Sequence, residues 1–422
     1  MKKLQPSRSG LTLISLLALL MTGCVKDRIT HTYTLNIPVL KTMTEIRAGI
    51  KSGPATSFGN IGKMYVQGNY IFLNEKEKGI HIIDNSVPSK PRNISFISIP
   101  GNEDMAIKGS VLYADIYCDL VTFDISNPQN VVAKKFLTNI FPDRSGYNAS
   151  TNPDSILIIT DWITKDTTVN YDPSHPIYYT TCPNCAIPFA YLNAAPSATI
   201  PAASNNGTGG SMARFTLVNN YLYTVTNSTL NAFNVSTPSD PVFSNKTGLD
   251  WNIETIYPFD NKLYIGSTNG VYVYDIQSSP ENPVFSGACM HLTSCDPVIA
   301  DDKYAYVTLS AGKICNGTLN ELDIVDLNYW TVNSLGVIKT YPMTSPQGLS
   351  KDGNTLFICD GKDGLKVYDA GNVSNLKIIA HIPNGEARDL IASNGLAILI
   401  TTNGLYQYDY SDLKNIRLLS KL

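Results

Sequence analysis

The stretch Asp104–Pro128, DMAIKGSVLYADIYCDLVTFDISNP, decides the fold. It reads as three short strands of β-branched and aromatic residues separated by turns. Versions of it recur from about residue 60 to the C-terminus. The clearest register mark is a pleated strand ending in Asp or Asn, found at Asp84, Asp124, Asp172, Asn234, Asp275, Asp326, Asp369 and Asp409. Successive marks are 40, 48, 62, 41, 51, 43 and 40 residues apart. A period in the forties with four strands per unit is the sequence mark of a β-propeller. The expectation is an all-β fold, a β-propeller of about eight four-stranded blades, with a seven-bladed ring if the third unit does not close.

The third unit is the irregular one. Ser155–Asp161 is assigned to its second strand and Thr167–Asp172 to its third. Asp172-Pro-Ser-His-Pro176 parallels the turns beginning at Ser236 and Ser279. What is extra follows as an insertion, Thr181–Gly210, rich in Pro, Ala, Ser, Asn and Gly and without the makings of its own core. The recurring Asp leads into turns such as DISNP. There its carboxylate is expected to accept the backbone N–H two residues on, an Asx-turn, so it is read as a structural device.

Composition agrees with a β-rich chain. Among 422 residues there are 24 Tyr, 24 Pro and 29 Gly, with 43% hydrophobic and 16% charged. A formal charge of −3 and the lack of basic runs beyond the N-terminus argue against nucleic acid as a partner.

Lys2, Lys3 and Arg8 precede an apolar run, Leu11–Met21, too short to span a bilayer. The run ends in Leu20-Met21-Thr22-Gly23-Cys24, which resembles a bacterial lipoprotein signal. The resemblance implies removal of residues 1–23 and lipidation of Cys24, leaving the chain anchored at the outer membrane, periplasmic or surface-facing. Membrane contact is expected through that lipid alone. Residues 24–57 read as a linker or a strand that closes the ring, and residues 58–422 as the propeller.

LYADIYCDLVTFDISNP (112–128), GIHIIDNSVPSKP (79–91) and GLKVYDAGNVSN (364–375) are similar to the LVIVD repeat of bacterial surface and periplasmic proteins. The resemblance implies a propeller fold and carries over no catalytic residue.

Stepping back from the aromatic residue of each second strand (Tyr113, Tyr223, Tyr264, Tyr306, Phe357) lands at the head of the innermost strand. Glu103, Ala213, Glu254, Asp296 and Gln347 occur there, with Glu386 and Arg214 beside equivalent places. Glu103, Arg214, Glu254, Asp296, Gln347 and Glu386 are therefore candidates for a binding face at the channel mouth, on the side of the insertion. Their carboxylates and amide are of the kind that take Ca²⁺, although a solvated rim is the preferred reading over a metal. No cofactor is expected.

Cysteines cluster by register on the same face. Cys295 with Cys315, and Cys182 with Cys185, are candidate disulfides, since a lone CxxC lacks the four ligands of a zinc site. Gly207-Thr-Gly-Gly210 precedes a strand, so the helix-terminus mechanism for anions is absent.

No catalytic grouping stands out. The reading is a monomeric binding scaffold for an envelope protein or glycan. Two alternatives remain: a polysaccharide- or lactone-directed hydrolase or lyase using the mouth carboxylates, and a structural part of an outer-membrane assembly.

Overall fold

The computed structural model describes residues 29–144, 152–171, 206–250, 252–290, 297–311, 319–329, 336–383 and 385–422. The chain forms two compact units, residues 1–40 with 159–190, and residues 41–158 with 191–422.

The larger unit is the propeller. Its second and third strands are buried along most of their length and largely apolar: Val111–Ile116 is buried at every position, and Ile80, Ile82 and Ile83 in Gly79–Asp84 are inaccessible. A strand buried on both faces reads as a continuous apolar run instead of an alternating one. The outermost strands, such as Val132–Leu137, alternate with solvent on one side.

Among the described residues these strands build seven antiparallel sheets, each of four consecutive strands, to which blade 1 adds a short strand at either edge. Blade 1 runs from Ile61–Gln67 to Arg92–Ser98, and blade 2 from Met105–Lys108 to Val132–Leu137. Blade 3 runs from Phe215–Val218 to Val242–Gly248, and blade 4 from Ile253–Phe259 to Val284–Met290. Blade 5 spans Val298–Ala300 to Val337–Pro342, blade 6 Leu349–Asp352 to Lys377–Ile382, and blade 7 Ala387–Ser393 to Arg417–Lys421.

The leading count of eight is thus corrected to the seven-bladed alternative. The segment assigned to the third repeat is one strand, Leu157–Tyr171, paired with Ile29–Thr42 in a two-stranded ribbon. Thr32 with Thr168 (2.9 Å) and Thr34 with Asp166 (2.8 Å) form rungs on one face of the ribbon. Tyr33, Leu35 and Ile37 alternate onto the other face and are exposed. Length and β-branching suited Leu157–Tyr171 to a blade, but a blade also needs a flanking sheet on each side.

The recurring Asp does what the turn chemistry predicts. In all seven blades it, or Asn234 in blade 3, accepts the backbone N–H two residues on at 2.9–3.0 Å. Hydrogen bonds from Ser126, and then the Lys134 ammonium, hold the Asp124 carboxyl down at about 2. The turn carbonyls that follow receive the neighbouring blade. Tyr113 Oη donates to Pro238 (2.8 Å) and Tyr223 Oη to Pro280 (2.6 Å).

Among the described residues no blade takes strands from both ends of the chain. Thr42 and Glu45 cap the short helix Met43–Ala48 reciprocally, and Lys51–Gly53 then extends the outer edge of blade 1, beside Phe96–Ser98. It does not reach blade 7. The seam between blades 7 and 1 is held by Ser420 Oγ to the Pro88 carbonyl (2.7 Å), Gln407 Nε2 to Asn85 Oδ1 (2.7 Å) and an apolar cluster containing Met64, Leu73, Leu390 and Tyr408.

A second device crosses that seam on the inside. Thr208–Gly209 pairs with Tyr65 and Val66 on the inner edge of blade 1, and Gly207 N–H donates to the Ile107 carbonyl of blade 2 (3.0 Å). Ser211 then reaches the far side, donating to Asp389 Oδ1 of blade 7 (3.2 Å) and accepting from Leu349 N–H of blade 6 (2.8 Å). A Cβ on Gly210 would lie 2.0 Å from Asp389 Oδ2, and one on Gly207 would lie 2.6 Å from the Val66 carbonyl. Glycine is required here by close approach, not by anion binding. Burial pushes the Asp389 carboxyl up to about 7, and its Oδ2 has no hydrogen-bond partner.

Candidate functional site

The chain leaves blade 2 after Leu137 and passes through a 3₁₀ turn, Pro142–Arg144. It enters blade 3 at Phe215, so Arg144 and Arg214 bracket the break in the repeat. Phe141 and Phe215 are buried and stack with centroids 5.7 Å apart, which fixes both ends of the break against one another.

Asp115, at the end of a buried strand of blade 2, organises the mouth. Its Oδ1 accepts from the N–H groups of Glu103 (2.8 Å) and Asp104 (3.0 Å) and from Asn102 Nδ2 (2.7 Å). Its Oδ2 pairs with the Arg144 guanidinium. Burial raises the Asp115 pKa, against the pull of Arg144 and the backbone donors. Burial also opposes the charge on Arg144, but Asp115 and Glu103 outweigh it and hold that pKa up. Arg144 further donates to the Gly101 carbonyl (2.5 Å).

Arg214 is fixed by its backbone N–H on Asp104 and by Nη2 on the Ile253 carbonyl of blade 4 (3.1 Å). Lys63 of blade 1 reaches Asp104 as well (3.0 Å), and burial lowers its pKa. Glu103 lies between the arginines, 3.6 Å from Arg144 and 3.4 Å from Arg214, with its side chain 38% exposed. Glu103, Asp104, Asp115, Arg144 and Arg214, with Asp143, Thr226 and Asn227, line a cavity of about 260 Å³.

Of the residues expected at the mouth, the structure brings Glu103 and Arg214 together. Glu254 begins the inner strand of blade 4, while Gln347 and Glu386 stand just before the inner strands of blades 6 and 7; none lines this cavity. Gln347 spends its backbone on Cys359 and Thr308. Asp296, Cys24, Cys182, Cys185, Cys295 and Cys315 lie outside the described residues. Cys118 and Cys359, placed by register near the same face, are buried free thiols. Sequence reasoning passed over Asp115, Arg144 and Asp104. Asp115 looked like a strand residue and Arg144 belonged to no repeat; the one available signal was an acidic residue interrupting an otherwise apolar strand.

A family model described as the LVIVD repeat matches residues 59–95, which covers blade 1 from just before its inner strand into its outermost strand. The chain is a seven-bladed propeller with an LVIVD repeat in blade 1. No curated protein matches its sequence. Among solved structures, the propeller is similar to the computationally designed Ika8 protein, at 10% identity and a TM-score of 0.50 over 87% of this chain and 89% of that one. That likeness is one of fold. PorZ, a surface component of the type-IX secretion system of Porphyromonas gingivalis, aligns at 10% identity and a TM-score of 0.48 over 88% of this chain and 39% of its own. BamB from Moraxella catarrhalis aligns at 10% identity and 0.43 over 91% and 88%.

Proposed function

We propose that the chain is an exported, lipid-anchored propeller that serves as an interaction scaffold, holding a protein or glycan of the cell envelope on the face that carries the blade 2–3 mouth. The observation that carries this reading is the cavity between Glu103, Arg144 and Arg214, at the junction where the repeat is interrupted. Binding sites are usually built on connections held by a rigid scaffold, and here two arginines are fixed by buried partners before any ligand arrives. The inner face of the ring is crossed by Asn206–Ser211, which favours the rim over the bore as the place of contact. Export and anchoring rest on the Lys2–Cys24 segment.

The test is a pull-down from native envelope with wild type and a Glu103→Ala/Arg214→Ala double variant of matched melting temperature. Loss of a specific partner in the variant is expected; an unchanged set of partners removes the mouth from the reading. Labelling of Cys24 by a fatty-acid analogue in cells, absent in Cys24→Ala, tests the anchor.

A further inference from the structure

The geometry points to a sugar subsite at the blade 2–3 mouth, taking one uncharged, ring-sized residue of a glycan whose adjacent hydroxyls lie between Glu103, Arg144, Arg214 and Asn227. It deepens the scaffold reading and rests on it.

Charge balance selects the ligand class. Four carboxyls line the cavity; Asp115 is paired with Arg144 and Asp104 with Lys63, which leaves Glu103 and the exposed Asp143 to offer carboxylate oxygens beside the two guanidiniums. An anion entering here meets Glu103, and a cation meets Arg144 and Arg214. A hydroxyl donates one hydrogen bond and accepts others, so it satisfies a carboxylate and a guanidinium together.

The site also has bonding capacity to spare. Glu103 Oε2 accepts a long hydrogen bond from Arg214 Nη1 (3.4 Å) and Oε1 stands 3.6 Å from Arg144, both longer than the roughly 2.7–2.9 Å of a strong charge-assisted pair. Hydroxyls between these groups complete them.

Size and preorganisation agree. The cavity of about 260 Å³ is smaller than the roughly 300–1,000 Å³ of sites for drug-sized ligands, which suits one ring of a longer polymer. Both arginines are already held by backbone carbonyls, at Gly101 and Ile253, so binding orders no long side chain. Phe141 and Phe215 line the cavity and supply an apolar wall for the C–H face of a ring.

The experiment titrates the full chain with probes of one ring size: glucose, galactose and mannose as neutral hexoses, glucuronate as the anion and glucosamine as the cation. Ligand-observed NMR gives the affinity. Saturable binding of at least one neutral hexose is expected, with Kd on the order of 1 mM, and at least about tenfold weaker binding of the charged rings. Glu103→Gln, Arg214→Met and the milder Asn227→Ala should each weaken the hexose about tenfold, with melting curves confirming that the variants are folded. Tightest binding of glucuronate, improved by Glu103→Gln, would make this an anion site and overturn the proposal. Tightest binding of glucosamine would overturn it too, as would hexose binding indifferent to all three variants. Flat titrations with a pull-down that still depends on Arg214 sink the sugar subsite and leave the scaffold standing; if neither depends on it, both fall.

Discussion

The junction between blades 3 and 4 and the junction between blades 2 and 3 are made from the same parts. In each, a tyrosine in the second strand of one blade reaches the turn carbonyl of the next, Tyr223 to Pro280 and Tyr113 to Pro238. They differ in what joins them. Between blades 3 and 4 the chain passes directly from Gly248 to Ile253; between blades 2 and 3 it leaves after Leu137 and resumes at Phe215. The walls are equivalent, yet only the second junction gains Arg144 and the inner segment Asn206–Ser211. Capacity to bind comes from the connection, and the repeat supplies the frame that holds it still.

The largest effect expected is at the regular junction. Tyr223→Ala empties a fully buried aromatic position between two blades and should cost about 3–5 kcal/mol in urea unfolding. A smaller loss would mean that the ring is not held by blade-to-blade packing.

At the interrupted junction the inner segment should make stability depend on pH. Asp389, held up at about 7 by burial, binds its proton more tightly in the folded chain than in the unfolded one. Its contribution is therefore fully present below about pH 4 and lost as pH rises to about 7. The unfolding free energy of the wild type, from urea titrations, should fall over that window relative to Asp389→Asn by an amount on the order of 4 kcal/mol. Parallel profiles would show that this group does not report on the seam.

Gly210→Ala sharpens the contrast further. Its new Cβ meets Asp389 and should cost about 1–3 kcal/mol. Gly248→Ala, in open space on the outer strand of blade 3, should stay within about 0.5 kcal/mol. Equal effects would show that the inner segment is not packed across the seam. The smallest change is expected for Asp124→Asn, because Asn234 already performs the same turn in blade 3; melting temperature and sugar binding should be nearly unmoved.

Most of the ring was legible. The strand-ending Asp or Asn mark, present in all seven blades, and the aromatic in the second strand, present in six, each express a local rule of turn or strand chemistry. The misread came from Leu157–Tyr171, which obeys the same local rules. Periodicity records that a segment prefers to be a strand and says nothing of which strand it pairs with. The mouth was legible in halves: register placed Glu103 and Arg214 near each other, while Asp115, their buried organiser, looked like one residue of an apolar strand.

By itself, the sequence determined that the chain is built from repeated four-stranded units, that its conserved-looking aspartates shape turns, and that one face carries the irregular connection. Those are consequences of forces acting within a few residues. The tertiary structure alone decided the number of blades, the crossing of the inner seam by Gly207–Ser211, and the meeting of Arg144, Glu103 and Arg214 around one cavity. These depend on groups far apart in the chain being driven together by burial, and on charges whose partners exist only once the ring has closed.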